Sequence, residues 1–210
     1  MIEIKLPDGS KMMVDSGVNG LDVAKKISEG LAKNAVAVRL NGELTDTTTP
    51  ITTDSEISII TTKNEEALEV LRHTTAHVLA HAVSRLYKDV QVTIGPAIEN
   101  GFYYDFYGIV VKESDLPAIE AEMAKIIEAD YPIVKTVVSR AEAEKVFSDR
   151  GEKYKLEILH DMPEDVQEVS LYTQDDYVEL CRGPHLSSTG KVGKAFKLTK
   201  VSASYWRGDA

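Results

Sequence analysis

Two short signatures far apart in the chain carry the residue types that do chemistry: His73-x-x-x-His77 and Cys181-Arg182-Gly183-Pro184-His185. They bring together three imidazoles and the only thiol of the protein. Such nitrogen and sulfur groups can hold a zinc ion, orient a water or hydrogen-bond a sugar hydroxyl, so the set points to hydrolytic chemistry. Histidines four residues apart share one face of a helix. A Gly-Pro step cannot continue a helix, so Cys181 and His185 are expected to approach each other across a tight turn.

The element that must present the histidine pair is a long helix, which the apolar spacing predicts from about Glu65 to Tyr87. At about 100° per residue, Leu68, Leu71, Val78, Leu79, Ala82 and Leu86 fall on one side. His73, His77 and His81 form a stripe nearly opposite, beside Val70, Ala80 and Ser84 rather than lysines and glutamates. That face is expected to be the wall of a cleft, neither core nor open solvent. His81 has no matching partner in the sequence and is given at most a supporting place. The run Gly101-Phe102-Tyr103-Tyr104-Asp105-Phe106 puts aromatics on both faces of a strand, some for the core and one face available to stack on an unpaired base.

At 210 residues, 43% of them hydrophobic, the chain can bury one substantial core and a second small one, so two α+β domains are expected. Residues 1–62 read as hairpin strands at Ile2 to Leu6 and Lys11 to Val14, a helix from Asp22 to Leu31 closed near Gly30, and a strand at Ala35 to Leu40. An Asn41-Gly42 turn, a threonine-rich loop without assigned function and a strand at Glu56 to Ile60 follow. This is the layout of a small ubiquitin-like β-grasp domain. Residues 63–210 read as a larger domain of long helices packed on an antiparallel sheet. After the histidine helix come strands at Gln91 to Ile94 and Phe102 to Phe106, and a helix from Ser114 to Ala129. A strand at Pro132 to Val138, a helix at Arg140 to Ser148, and strands at Val166 to Tyr172 and Tyr177 to Cys181 complete it.

A net charge of −10 argues against a protein that coats nucleic acid by general electrostatics. From Cys181 onward, however, six basic residues stand against one acid, which suits a polyanion docked at one place. One cysteine rules out an intrachain disulfide, and no apolar run is long enough for a membrane span or a secretory signal, so the reducing cytoplasm is the expected compartment.

Five ordered motifs then match a known family: His73-x-x-x-His77, Ile94-Gly95-Pro96 with Gly101-Phe102-Tyr103-Tyr104-Asp105, Gly151-Glu152-x-Tyr154-Lys155, Leu180-Cys181-Arg182-Gly183-Pro184-His185, and Ser204-Tyr205-Trp206-Arg207-Gly208. From end to end the chain closely resembles the N-terminal part of bacterial-type threonyl-tRNA synthetases: a TGS (β-grasp) domain followed by an editing domain whose His/Cys/His signature is shared with alanyl-tRNA synthetases. The family's aminoacylation domain, with its ATP-binding motifs and its own zinc site, is expected beyond Ala210. ATP and zinc are therefore implied for that absent part, and no cofactor for editing. Members of the family are expected to be homodimers.

The resemblance implies a substrate. A pocket that accepts threonine rejects serine, one methyl smaller, by only about 10 to 200-fold. A second site is therefore needed to hydrolyse the ester of seryl-tRNA at the acceptor end of the threonine tRNA. The catalytic roles implied fall on His73 and His77, which would position water and ribose hydroxyls, on Cys181 and His185, which would close the pocket around the seryl group, and on Lys155, which would orient the ester or stabilise the oxyanion. Glu179 stands where the family usually carries aspartate and would receive the substrate amino group. Tyr104 and Arg182 would be further substrate contacts. Three readings remain open at this level: zinc held by His73, His77, Cys181 and His185, a covalent role for Cys181, and a catalytically silent tRNA- or RNA-binding module.

Overall fold

The computed structural model describes residues 1–203, and the chain is α+β. The Ser204 to Gly208 motif and the end of the basic tract lie outside the described residues. In Ile2–Lys5 (β1) the isoleucines are buried, and Lys11–Val14 (β2) returns antiparallel with Ile2 opposite Val14. Gly20–Ile27 (α1) starts at a capping box between Asn19 and Asp22. The single helix expected from Asp22 to Leu31 is in fact two. Ser28 is extended (φ −167°, ψ 149°); its N–H ends α1 on the Ala24 carbonyl and its hydroxyl accepts the Leu31 N–H to start Glu29–Asn34 (α2). A serine that satisfies backbone groups on both sides breaks the helix there, and Gly30 lies inside the second one.

Ala35–Leu40 (β3) turns at Asn41-Gly42, both with positive φ (49° and 89°), into Glu43–Thr45 (β4), a strand the sequence reading did not assign. Ser55–Thr61 (β5) runs parallel to β1 and antiparallel to β3, giving the sheet order β2-β1-β5-β3-β4. Ile4, Val23, Val38 and Ile57 fill the space between this sheet and α1. A five-stranded mixed sheet gripping one helical layer is the β-grasp arrangement.

Glu66–Leu86 (α3) is buried on every side from Thr74 to Val83. Two residues assigned to its apolar face are at the surface instead, Leu68 at 47% and Leu86 at 43% exposure. Both lie in the end turns of α3, outside the enclosed stretch, whereas its middle runs between layers. Val70, Val78 and Val83 share one core with Met123 and Ile126 of Leu116–Ala129 (α4) and with Val36 and Ile60 of the β-grasp sheet. A helix with neighbours all round has no solvent face to make polar.

Four two-residue strands follow α3: Gln91–Val92 (β6) pairs with Phe106–Tyr107 (β9), and Ala97–Ile98 (β7) with Gly101–Phe102 (β8). The expected strand from Phe102 to Phe106 is thus interrupted. The Tyr104 ring lies where a β-carbon on Gly95 would be, which only glycine permits. Val134–Ser139 (β10), Glu168–Gln174 (β11) and Tyr177–Leu180 (β12) form an antiparallel sheet in that order. Arg140–Asp149 (α5) and Lys153–His160 (α6) cover it with Phe147 and Leu159. α6 was not expected from the sequence. No described helix is long and apolar enough to cross a membrane.

Candidate active site

α3 delivers His73 and His77 from consecutive turns, and the segment after β12 carries Cys181 and His185 to meet them. Gly183 has a left-handed φ of 78°, the Gly183–Pro184 peptide is cis, and a β-carbon on Gly183 would strike the Tyr172 hydroxyl. The thiol of Cys181 is 3.3 Å from Nε2 of His73, 3.4 Å from Nε2 of His185 and 3.3 Å from the Gly183 N–H that it accepts. Ring centroids of His77 lie 5.0 Å from His73 and 4.0 Å from His185. His77 and His185 are 3% and 1% exposed, whereas His73 and Cys181 are partly exposed, so the centre opens on their side.

Burial sets the protonation states. It lowers the pKa of His73, and it lowers those of His77 and His185 well below the ordinary imidazole value, where neighbouring histidines also oppose the charge. All three are neutral at pH 7. Burial also pushes the Cys181 thiol up to about 12, against the Gly183 N–H that favours the anion. At pH 7 its thiolate is then about one part in 10⁵, which leaves a thiol and no standing nucleophile.

The tautomer of His185 follows from its partners. Thr74 Oγ1 donates its one hydrogen to the Val70 carbonyl (2.8 Å) and accepts the Leu186 N–H (3.1 Å). Toward Nδ1 of His185, 3.2 Å away, it has only a lone pair left, so Nδ1 carries the proton. Nε2 therefore faces Cys181 as an acceptor. One S–H lies between two imidazole nitrogens, and an incoming hydroxyl or water finds an acceptor there.

Lys155, Glu179 and Tyr104 are brought together next to this centre. Lys155, in the first turn of α6, donates to the Thr93 carbonyl (2.7 Å), to Glu179 Oε1 and to the Tyr104 hydroxyl (3.4 Å). Glu179 Oε2 accepts from the hydroxyls of Tyr104 and Tyr177. Burial and the adjacent carboxylate hold both phenols well above the usual tyrosine range, so they stay donors. The ammonium and the carboxylate thus hold one another and their neighbours. Arg182 is exposed beside Cys181.

Several participants escaped the sequence reading. His81 has partners after all: its Nε2 donates to Asp176 Oδ1 (2.9 Å), Gln174 Nε2 lies 3.2 Å from its Nδ1, and its ring stacks on Tyr177 at 5.4 Å. Asp46, from the threonine-rich loop of the β-grasp sheet, accepts the His185 N–H and the Tyr172 hydroxyl, each at 2.7 Å. Thr74 had one available signal, adjacency to His73; Asp46 had none.

The donor set also suits a metal. One ligand atom from each of His73, His77, Cys181 and His185 lies within 4.8 Å of all the others. The two sulfur–nitrogen distances of 3.3 and 3.4 Å are near the ~3.5 Å that tetrahedral zinc imposes between such ligands. These four residues would hold the ion; it would supply an activated water only with one of the four ligands displaced or with a fifth coordination position.

Residues 2–61 match the model of the TGS domain, and residues 169–209 match that of the threonyl and alanyl tRNA synthetase second additional domain. The threonine–tRNA ligase of Paramagnetospirillum magneticum is 52% identical over 212 residues, covering 100% of this chain and 33% of that protein. Those of Methylobacillus flagellatus and Hyphomonas neptunium are 52% and 48% identical over 99% and 100% of the chain. The chain spans about a third of the length of these relatives. Carrying both domains and matching such ligases from one end to the other, it belongs to the threonyl-tRNA synthetase family.

Proposed function

We propose that the chain hydrolyses the ester between serine and the terminal ribose of mischarged threonine tRNA, with residues 1–62 as a β-grasp domain, residues 63–210 as the editing domain, and the cytoplasm as its compartment. The observation that carries this is the centre itself: imidazoles of His73, His77 and His185 gathered around the Cys181 thiol, with Nε2 of His73 and Nε2 of His185 both turned to that sulfur. His73 and His77 hold the attacking water and a ribose hydroxyl. The water oxygen adds to the seryl carbonyl carbon, one of its protons passes to an imidazole, and the carbon–oxygen bond to ribose breaks as that oxygen takes a proton. Cys181 and His185 wall the seryl side chain and exclude the extra methyl of threonine. Lys155 and Glu179 act through Tyr104, whose placement they fix.

The test is to mix the chain, with chelator present, with seryl- and threonyl-charged threonine tRNA and follow the release of each amino acid. Selective release of serine is expected. Release of serine that chelator abolishes and zinc restores favours the metal-assisted form, for which the sulfur–nitrogen spacing speaks. Binding of tRNA without release of either amino acid makes the chain a silent binding module. Ligation of threonine with ATP, and dimerisation, are proposed only for a protein of the relatives' full length.

A further inference from the structure

We infer that Asp46 is a positioning residue for His185, so that the β-grasp part of the chain completes a site otherwise built by α3 and the segment after β12. Asp46 is 5% exposed, and a carboxylate that deep is held only by strong donors. Oδ1 takes the backbone N–H of His185 and Oδ2 takes the hydroxyl of Tyr172, both at 2.7 Å, with Lys135 Nζ 3.9 Å from Oδ2. The Tyr172 ring in turn meets the His185 ring at 4.5 Å, edge to face. Its hydroxyl reaches Asp46 through the space that Gly183 leaves open.

His185 is therefore fixed from three sides: backbone by Asp46, ring face by Tyr172, and Nδ1 by Thr74. The remaining ring nitrogen points at Cys181. Asp46 is itself anchored to the β-grasp fold. Its carbonyl accepts the Thr49 N–H (3.1 Å), and the carbonyl of the buried Thr47 accepts the Leu21 N–H at the start of α1 (3.0 Å). A shift of the β-grasp sheet against α3 is transmitted to His185 through one carboxylate. Displacing a catalytic group by about 1 Å can cost about 100-fold in rate, so the effect belongs in kcat.

This inference rests on the hydrolytic reading for its kinetic readout, and amide hydrogen exchange at His185 tests it without that reading. In the full chain, Asp46→Ala is expected to lower kcat for seryl-tRNA hydrolysis by about tenfold or more, with KM within about twofold. Exchange of the His185 amide should quicken while that of Met123, in the α3–α4 core, does not. Asp46→Asn, which keeps an acceptor for the amide, should stay within about threefold of the parent in both readouts. Thr48→Ala, an exposed neighbour, should change neither. Unchanged kcat and unchanged exchange in Asp46→Ala overturn the inference, and so does a rise in KM at constant kcat, which makes Asp46 a docking contact. If Asp46→Ala does not fold, Tyr172→Phe removes one of the two bonds and keeps the ring: a fall in kcat at constant KM supports the inference and an unchanged kcat overturns it. If the parent chain hydrolyses nothing, the proposed function fails and the His185 amide alone decides.

Discussion

Lys155 and Glu179 meet as an ion pair whose side chains are 3% and 2% exposed, one at the start of α6 and the other in β12. Removing one member leaves the other charged and buried, at a cost of about 3–5 kcal/mol. Lys155→Met is therefore expected to lower the unfolding free energy by that order. The double variant Lys155→Met, Glu179→Gln should recover more than half of the loss, because no uncompensated charge remains. Denaturant unfolding at pH 7 measures both. A double variant no better than the single one would mean that the pair is not the source of the loss.

The site histidines also set a pH dependence. Burial lowers the pKa of His73, His77, His81 and His185 in the folded chain. Below about 6.5 the unfolded chain therefore binds protons that the folded one refuses. Stability from this source is complete above pH 6.5 and is lost as pH falls below it, by up to ~1.4 kcal/mol per pH unit for each such histidine. Unfolding midpoints measured from pH 5 to 8 should drop steeply below pH 6.5 and level off above it. A flat profile across that window counts against buried neutral imidazoles.

The sequence made the cluster of His73, His77, Cys181 and His185 legible and hid what supports it. His73, His77, Cys181 and His185 were readable because helix periodicity and a Gly-Pro turn constrain where such side chains point. The β1–β2 hairpin, β3 and α4 were readable because their alternation or spacing matches a face that is buried. Leu68 and Leu86 were misplaced because only the middle of α3, Thr74 to Val83, is enclosed, while its end turns reach the surface. The break at Ser28 and the helix α6 depended on local capping and on packing against the β11–β12 sheet, neither of which periodicity records. Asp46 and Tyr172 meet 126 residues apart, a relationship of tertiary structure alone.

Gly183 ties the turn to the same arrangement. A side chain there faces two obstacles, a left-handed backbone and the Tyr172 hydroxyl. The first alone costs roughly 1–2 kcal/mol. Gly183→Ala is expected to displace Cys181 and His185 together and to abolish seryl-tRNA hydrolysis, while near-native helix content by circular dichroism persists because α3 and α4 pack elsewhere. Retained activity would show that the turn tolerates a shift of Tyr172.

The thiol of Cys181 should behave as its surroundings dictate. With its pKa pushed up to about 12 by burial, it gives no thiolate absorbance below pH 10 and reacts with iodoacetamide at pH 7.5 far more slowly than an exposed cysteine. Titration near neutral pH would signal an opposite environment, such as a bound cation that stabilises the anion. Repeating the titration in chelator separates the two cases.

Cys181 offers the sharpest test of how serine and threonine are told apart. If its sulfur is part of the wall against the extra methyl, then Cys181→Ala makes room about where that methyl would lie. Threonyl-tRNA hydrolysis should rise by about tenfold or more, the order of discrimination that one methyl-sized contact supplies. Seryl-tRNA hydrolysis should change less, since the thiol is neutral and donates at most one proton between His73 and His185. If Cys181 were a nucleophile or an obligatory metal ligand, hydrolysis of both substrates would collapse together. The ratio of the two kcat/KM values in one variant therefore separates a steric wall from a chemical participant.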